Sequence, residues 1–185
     1  MLRLIPPLIL TLALAACGGG DVRLALPRVE PAERIPSRFA SIEVREVTLP
    51  LYASEEKIAF ASENGAIETR PGLLWADDPV RAVTLVLTRG LGAVTGATVA
   101  AEPWPYYDPA EVLIDVRIED MVVQPDGLLR LTGQAYIAPR DESRGRSQFF
   151  AVRVPTDPRG PGGIAVARAA AVSELAKGIA QTALR

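Results

Sequence analysis

Three segments of alternating apolar and polar residues in the C-terminal half limit the fold of this chain most strongly. In residues 112–119, Val, Ile or Leu alternates with mostly charged residues, and 129–137 and 148–154 continue the β-like pattern. A period of two places one face of a strand in a core and the other in water. The Gln-Pro-Asp-Gly sequence at 124–127 is a turn signal, because Pro presets φ and Gly accepts a positive φ. The pattern therefore predicts an antiparallel meander of three strands.

Shorter strands are predicted earlier in the chain. Residues 41–51 carry apolar side chains with a period of two that changes phase midway, which indicates a strand with a bulge or bend. Residues 57–61 and 66–70 flank an Asn-Gly pair, which is a strong hairpin signal. Residues 94–101 predict one more short strand.

Two amphipathic helices complete the predicted fold. Asp78 is a favourable N-cap and Pro79 suits the first helical position. Apolar residues then recur at spacings of three and four until the glycines between 90 and 96 interrupt the pattern, and 164–184 shows the same spacing among many alanines. We therefore predict an α+β fold, with a mainly antiparallel β-sheet and two amphipathic helices packed on one face.

The N-terminus has the order of features of a secretory signal. Arg3 supplies positive charge, and residues 4–14 are apolar but shorter than the roughly 20 residues that a spanning helix needs. The Leu-Ala-Ala-Cys sequence that ends at Cys17 is similar to the bacterial lipobox, in which the Cys is acylated and becomes the new N-terminus. We predict a cleaved signal peptide over 1–16, a lipidated Cys17 at the head of a flexible tether over 17–40, and a folded domain over 41–185. The alternative is an ordinary signal peptide whose Cys is incidental.

The predicted location is the periplasmic side of the outer membrane. Two or more acyl chains anchor a protein stably without any spanning segment. Gly18, not Asp, follows Cys17, and under the sorting rule known for enteric lipoproteins this favours the outer membrane. Anchoring in the inner membrane is the alternative.

The composition argues against several kinds of active site. The 185 residues include no His and one Cys, with a net charge of −2. Without His there is no Ser–His or Cys–His pair, and one Cys cannot build a thiolate metal site. No basic cluster indicates nucleic-acid binding. We expect no enzymatic activity, catalytic residue, cofactor or metal, and interpret the carboxylate pairs at 55–56, 77–78 and 119–120 as a turn, a helix cap and a strand end.

The sharpest candidate contact site is an aromatic, Pro-rich segment. Trp104, Tyr106 and Tyr107 stand among prolines, and rigid aromatic side chains give a large contact area at low entropic cost. They are candidates for contact with a partner protein or with lipid headgroups. The alternative is that Trp104 folds back to close one end of the core.

Several short motifs follow one another in a recognisable order. Leu-Pro-Leu-Tyr at 49–52 precedes a short strand, Leu-Trp-Ala-Asp-Asp-Pro at 74–79 opens a helix, and the turn at 124–127 precedes a strand. An Ala-rich helical segment at 175–180 completes the set. This ordered set over residues 41–184, with the lipobox, resembles the PqiC-like family of ABC-type transport auxiliary lipoproteins.

The resemblance implies a function as well as a fold. It implies a non-enzymatic periplasmic subunit that works with an MCE-domain protein and membrane transporter subunits, a permease and ATPase or a PqiA-like protein. Such a system moves lipid between the inner and outer membranes, and the lipoprotein couples it to the envelope, with a homo-oligomeric ring as one arrangement. The alternative function is a structural lipoprotein for envelope assembly, which scaffolds an outer-membrane complex without handling lipid.

Overall fold

The computed structural model describes residues 20–30, 33–141, 144–157 and 160–185. The predicted signal peptide over 1–16 and Cys17 lie outside the described residues. In the described part, eight strands and three helices follow in the order β1 (Val22–Leu24), β2 (Ser41–Val44), α1 (Leu51–Ser54), β3 (Lys57–Ala61), β4 (Ile67–Trp75), α2 (Pro79–Thr95), β5 (Thr98–Ala101), β6 (Val112–Val123), β7 (Leu128–Pro139), β8 (Arg146–Pro155) and α3 (Gly162–Ala183).

The predicted meander is confirmed as β6, β7 and β8. Strands β6 and β7 are antiparallel from the Val112–Pro139 pair to the Val123–Leu129 pair, and β7 pairs antiparallel with β8. Their inward side chains, including Ile114, Val116 and Leu131, are fully buried. The alternation in the sequence therefore identified the buried face correctly.

The opposite edge of β6 makes the sheet mixed. Strand β2 pairs parallel with the start of β6, and β3 pairs parallel with its last residue, Val123. Strand β5 extends the sheet parallel to β2, while β4 pairs antiparallel with β3 and β1 pairs parallel with β4. The α+β class is confirmed, and the mainly antiparallel sheet contains parallel pairs because helices and long connections return the chain in the same direction.

The predicted hairpin and the first predicted strand are both present with different lengths. The Asn-Gly hairpin joins β3 to β4, but β4 continues to Trp75 through an irregularity opposite Lys57. Strand β2 ends at Val44, and the chain then contacts β6 again where the Thr48 amide donates to the Val116 carbonyl at 3.0 Å. Leu51 begins helix α1 rather than ending a strand.

Helix α2 begins as predicted and ends later than the first glycine. The Asp78 carboxylate accepts a hydrogen bond from the Arg81 amide at 2.8 Å, which caps the helix. The helix continues through Gly90 and ends at Gly96, which takes the left-handed conformation at φ 73°. Gly90 serves packing instead, because a Cβ built there would lie 3.1 Å from the Ala176 Cβ of α3.

The two long helices and the sheet enclose one core. Helices α2 and α3 pack against each other, and α3 also packs on β7 and β8. The apolar stripes predicted from the sequence are buried, including Val83, Leu87 and Leu91 of α2 with Leu175 and Ile179 of α3. Among the described helices, none combines the length and apolarity that crossing a membrane requires.

The segment assigned to the flexible tether contributes to this domain. Strand β1 lies within it, and Ile35 and Phe39 are buried in the core. The Ile35 amide donates to the Val94 carbonyl and the Arg38 amide to the Leu184 carbonyl, both at 2.8 Å. Ile35 and Phe39 are therefore packed in the core although they precede the predicted boundary at residue 41, and β1 pairs with β4 although its sequence has no period.

Gly133 provides a test of how β6 and β7 are fitted together. It faces the β6 irregularity between Ile118 and Asp120, and a Cβ at Gly133 would lie 2.2 Å from the Arg117 carbonyl oxygen. We expect Gly133→Ala to lower the free energy of unfolding by about 1–3 kcal/mol in urea titrations, as overpacked sites do. Gly178→Ala is the control, because its Cβ would meet nothing within 4 Å outside its own helix, and it should lose no stability or gain a little from the higher helix propensity of Ala. Equal stability of Gly133→Ala and wild type would contradict this account.

Candidate functional site

The aromatic segment forms an exposed loop between β5 and β6. Trp104 is half-buried, whereas Tyr106 is 56% exposed and Tyr107 is fully exposed. The Trp104 and Tyr106 rings meet edge-on with their centroids 5.0 Å apart, and the Trp104 Nε1 donates to the Asp108 carbonyl at 2.7 Å. The loop is therefore organised around Trp104, which packs within the loop, and it presents Tyr107 to solvent.

Both ends of this aromatic loop, residues 102–111, are fixed to the sheet. At the start, the Glu102 amide donates to the Val44 carbonyl at 2.8 Å. At the end, the Glu111 carboxylate accepts from the Ala40 amide at 2.7 Å, and the Glu111 amide donates to the Ser41 Oγ at 3.0 Å. A loop held at both ends loses little freedom when it binds, which favours a contact role.

The carboxylate pairs examined in the sequence have structural partners. Asp78 caps α2, Asp77 pairs with Arg81, and Glu56 pairs with Arg23. Asp120 bonds to Tyr52 and Arg130. Within the described ranges, no group of three or more metal-ligating side chains is close enough together to hold a metal ion.

A polar cluster of Tyr52, Asp120 and Arg130 joins α1 to the irregular part of β6. The Tyr52 hydroxyl donates to the Asp120 carboxylate and accepts from the Met121 amide at 3.3 Å. Arg130 of β7 donates to the same carboxylate. Burial, followed by the hydrogen bond to Asp120, raises the pKa of Tyr52 to about 12. This cluster explains the Tyr of the Leu-Pro-Leu-Tyr motif as a structural residue.

A cleft, here called the arginine cleft, lies between residues 24–26 and helix α2. Its volume is about 290 Å³. Apolar side chains and one acidic group line it together with three arginines. Its lining consists of Leu24, Ala25, Leu26, Trp75, Asp77, Pro79, Arg81, Ala82, Leu85, Arg89 and Arg168.

Arg168, the buried arginine of this cleft, was not among the residues predicted from the sequence to form a site. It lies in α3 at a spacing of four from Ile164 and from Val172, so it belongs to the apolar stripe. Only 3% of its surface is exposed. A charged residue on the core-facing stripe of a helix was the available signal, because Arg is almost never fully buried without a partner.

Comparisons with known proteins agree with the fold. The family model for ABC-type transport auxiliary lipoprotein components matches residues 24–180. Comparison with curated proteins finds no match.

Solved structures share the architecture at low sequence identity. The crystal structure of an uncharacterized protein has a TM-score of 0.71 at 13% identity, covering 87% of this chain and 98% of that chain. A Xanthomonas campestris protein of family DUF330 has a TM-score of 0.68 at 15% identity, covering 88% and 93%. The PelC dodecamer from Paraburkholderia phytofirmans is more distant, with a TM-score of 0.47 at 11% identity over 78% of this chain and 90% of that chain.

The raised pKa of Tyr52 predicts a loss of stability in alkaline solution. Folding raises this pKa from 10.0 to about 12, so the protonated phenol stabilises the fold fully below pH 10 and the contribution is lost as the pH rises through 12. We expect Tyr52→Phe to be less stable at neutral pH by about 1 kcal/mol, the usual contribution of one hydrogen bond. We also expect it to lose less additional stability than wild type as the pH rises from 10 to 12.

Urea titrations followed by Trp fluorescence measure both effects. The matched control is Tyr106→Phe, which removes a hydroxyl from an exposed ring of the aromatic loop. Its free energy of unfolding should match that of wild type at neutral pH and fall equally between pH 10 and pH 12. Parallel alkaline losses for Tyr52→Phe and wild type would show that the Tyr52 phenol does not contribute.

Proposed function

The chain belongs to the family of ABC-type transport auxiliary lipoprotein components, and from this premise we propose that it is a non-catalytic subunit that couples a transport system to the envelope. The family match over residues 24–180 carries this proposal. The loop geometry supports it, because a rigid loop with a fully exposed Tyr107 suits protein contact better than catalysis.

The finer proposal is an MCE-type system that moves lipid between the inner and outer membranes. Its support is the resemblance of the ordered motifs to the PqiC-like family. In this proposal the MCE-domain protein provides the conduit, permease and ATPase or PqiA-like subunits complete the system, and copies of this chain assemble as a ring. Analytical ultracentrifugation of the full mature chain would test the ring.

The proposed attachment to the periplasmic face of the outer membrane is the acylated Cys17. The small residues before it and Gly18 after it support this assignment. Acylation would hold the domain at the membrane without any charge attraction, which suits a chain whose net charge is −2.

Metabolic labelling with a palmitate analogue tests the anchor. We expect label on the wild-type chain and none on Cys17→Ala, because the chain contains one Cys and lipobox acylation requires its thiol. Membrane fractionation of the same cells should place wild type with the outer membrane. Equal labelling of the two chains would refute the anchor, and label in the inner-membrane fraction would refute the outer-membrane location.

Substitution of Tyr107 tests the aromatic loop as a partner contact. We expect Tyr107→Ala to reduce co-purification of the MCE-domain protein at least tenfold, the effect of losing a contact that supplies about 1.4 kcal/mol or more. Its thermal stability should not change, because the ring is fully exposed.

Phe149→Ala is the matched control, since this ring is 63% exposed on β8, away from the loop. Equal recovery with Tyr107→Ala and Phe149→Ala would remove the loop from the interface. If wild type recovers no MCE-domain protein, permease or ATPase but does recover an outer-membrane complex, the scaffolding function would replace the transport function.

A further inference from the structure

Arg168 is a buried cation without a carboxylate partner in the described part of the chain. Its Nη2 donates to the Ala53 carbonyl at 3.1 Å, and its guanidinium lies 4.4 Å from the centroid of the Trp75 ring. The Nε is buried and has no hydrogen-bond partner. Burial lowers the pKa of Arg168 to about 9, so the group is still protonated at neutral pH.

An uncompensated charge in this position is costly. Buried charges in folded proteins are normally paired, because the protein interior solvates an ion much less well than water does. The backbone carbonyl and the indole ring offset part of this cost but supply no negative charge. The missing component is therefore an anion.

The arginine cleft gives such an anion a place next to Arg168. Arg168 and the buried Trp75 line the cleft, while exposed Arg81 and Arg89 lie on α2 at its rim. Asp77 also lines it but is paired with Arg81. With three arginines and one aspartate, the lining carries a net charge of +2.

Arg89 is available to a ligand. Its side chain makes no ion pair or hydrogen bond within the part of the chain that the structure describes, although the cleft brings it near two other arginines. Guanidinium groups present several N–H donors in a plane, which fits the oxygens of a phosphate group.

We propose that the arginine cleft binds a phosphate group that carries an apolar substituent, with Arg168 at its base and Arg89 at its rim. The net charge of +2 matches a phosphate better than a singly charged carboxylate. Leu24, Leu26 and Leu85 would contact the apolar part. This proposal does not depend on the proposed function, since the cleft would bind such a ligand whether the chain serves transport or scaffolding.

Calorimetric titration of the full mature chain tests the site. Cys17→Ser makes this chain free of acyl groups, so that no detergent competes for the cleft. The probes are inorganic phosphate, the phosphate monoester dihexanoylphosphatidic acid below its micellar concentration, and hexanoate. We expect the phospholipid to bind, and Arg89→Gln to weaken its binding about tenfold through loss of one charge-assisted hydrogen bond.

The control is Arg153→Gln, which removes the same charge from an exposed position on β8 outside the cleft. It should bind like the parent chain. Tighter binding of the phospholipid than of inorganic phosphate identifies a lipid headgroup as the source of the phosphate. Equal binding would make free phosphate the ligand and would overturn the apolar part of the proposal.

Three results would overturn the site. The first is that neither phosphate probe binds. The second is that Arg89→Gln and Arg153→Gln weaken phospholipid binding equally, and the third is that hexanoate binds as tightly as the phospholipid. Because the assay contains no partner protein, its failure is distinct from a failure of the co-purification experiment.

Discussion

Strand β6 holds the sheet together because both of its edges carry partners. One edge pairs with β7 along its whole length, and the other receives β2 at its start and β3 at Val123. The outer strands reach the sheet only through these neighbours. The irregularity between Ile118 and Asp120 therefore lies in the strand on which both sides of the sheet depend. Two features fit the neighbouring residues to it: Gly133 allows β7 to approach closely, and the Tyr52 hydroxyl accepts a hydrogen bond from the Met121 amide.

The sequence predicted the elements whose periodicity comes from burial and left out those held by contacts between distant segments. The meander, the hairpin and both long helices have repeating apolar positions, so local pattern was sufficient. The segment from Val22 to Phe39 has no such period. Its residues are placed by distant contacts instead, because the Ile35 amide bonds to Val94 of α2 and both Ile35 and Phe39 are buried in the core. Gly90 likewise resembles a helix breaker in the sequence, and its role is visible only from its close contact with Ala176 of α3. Of the candidate sites, the exposed aromatic loop was predictable from composition, whereas the arginine cleft depends on segments distant in sequence.

Helix α1 contacts two groups of residues that include members of the family motifs. Tyr52 reaches the Asp120 cluster on β6, while the Ala53 carbonyl accepts from Arg168, whose guanidinium stacks on Trp75. The short helix thus contacts the irregular part of β6 through the Tyr52 side chain and accepts a hydrogen bond from the buried Arg168 through the Ala53 carbonyl. Arg168 therefore contacts both Trp75 and Ala53, the residue that follows the Leu-Pro-Leu-Tyr motif, although most of the β3–β4 hairpin lies between the two in the sequence.

The aromatic loop and the arginine cleft are connected to β6 through different strands. The loop leads directly into Val112, whereas the cleft contains Trp75, whose strand joins β6 through β3 at Val123. The lining of the cleft includes no residue of the aromatic loop, so substitutions at the two sites should act additively. The proposed partner and the proposed phosphate ligand would therefore not compete for the same residues. Helix α2 is the element that approaches both sites, since it lines the cleft at Arg81 and Arg89 and ends two residues before β5, the strand that precedes the loop.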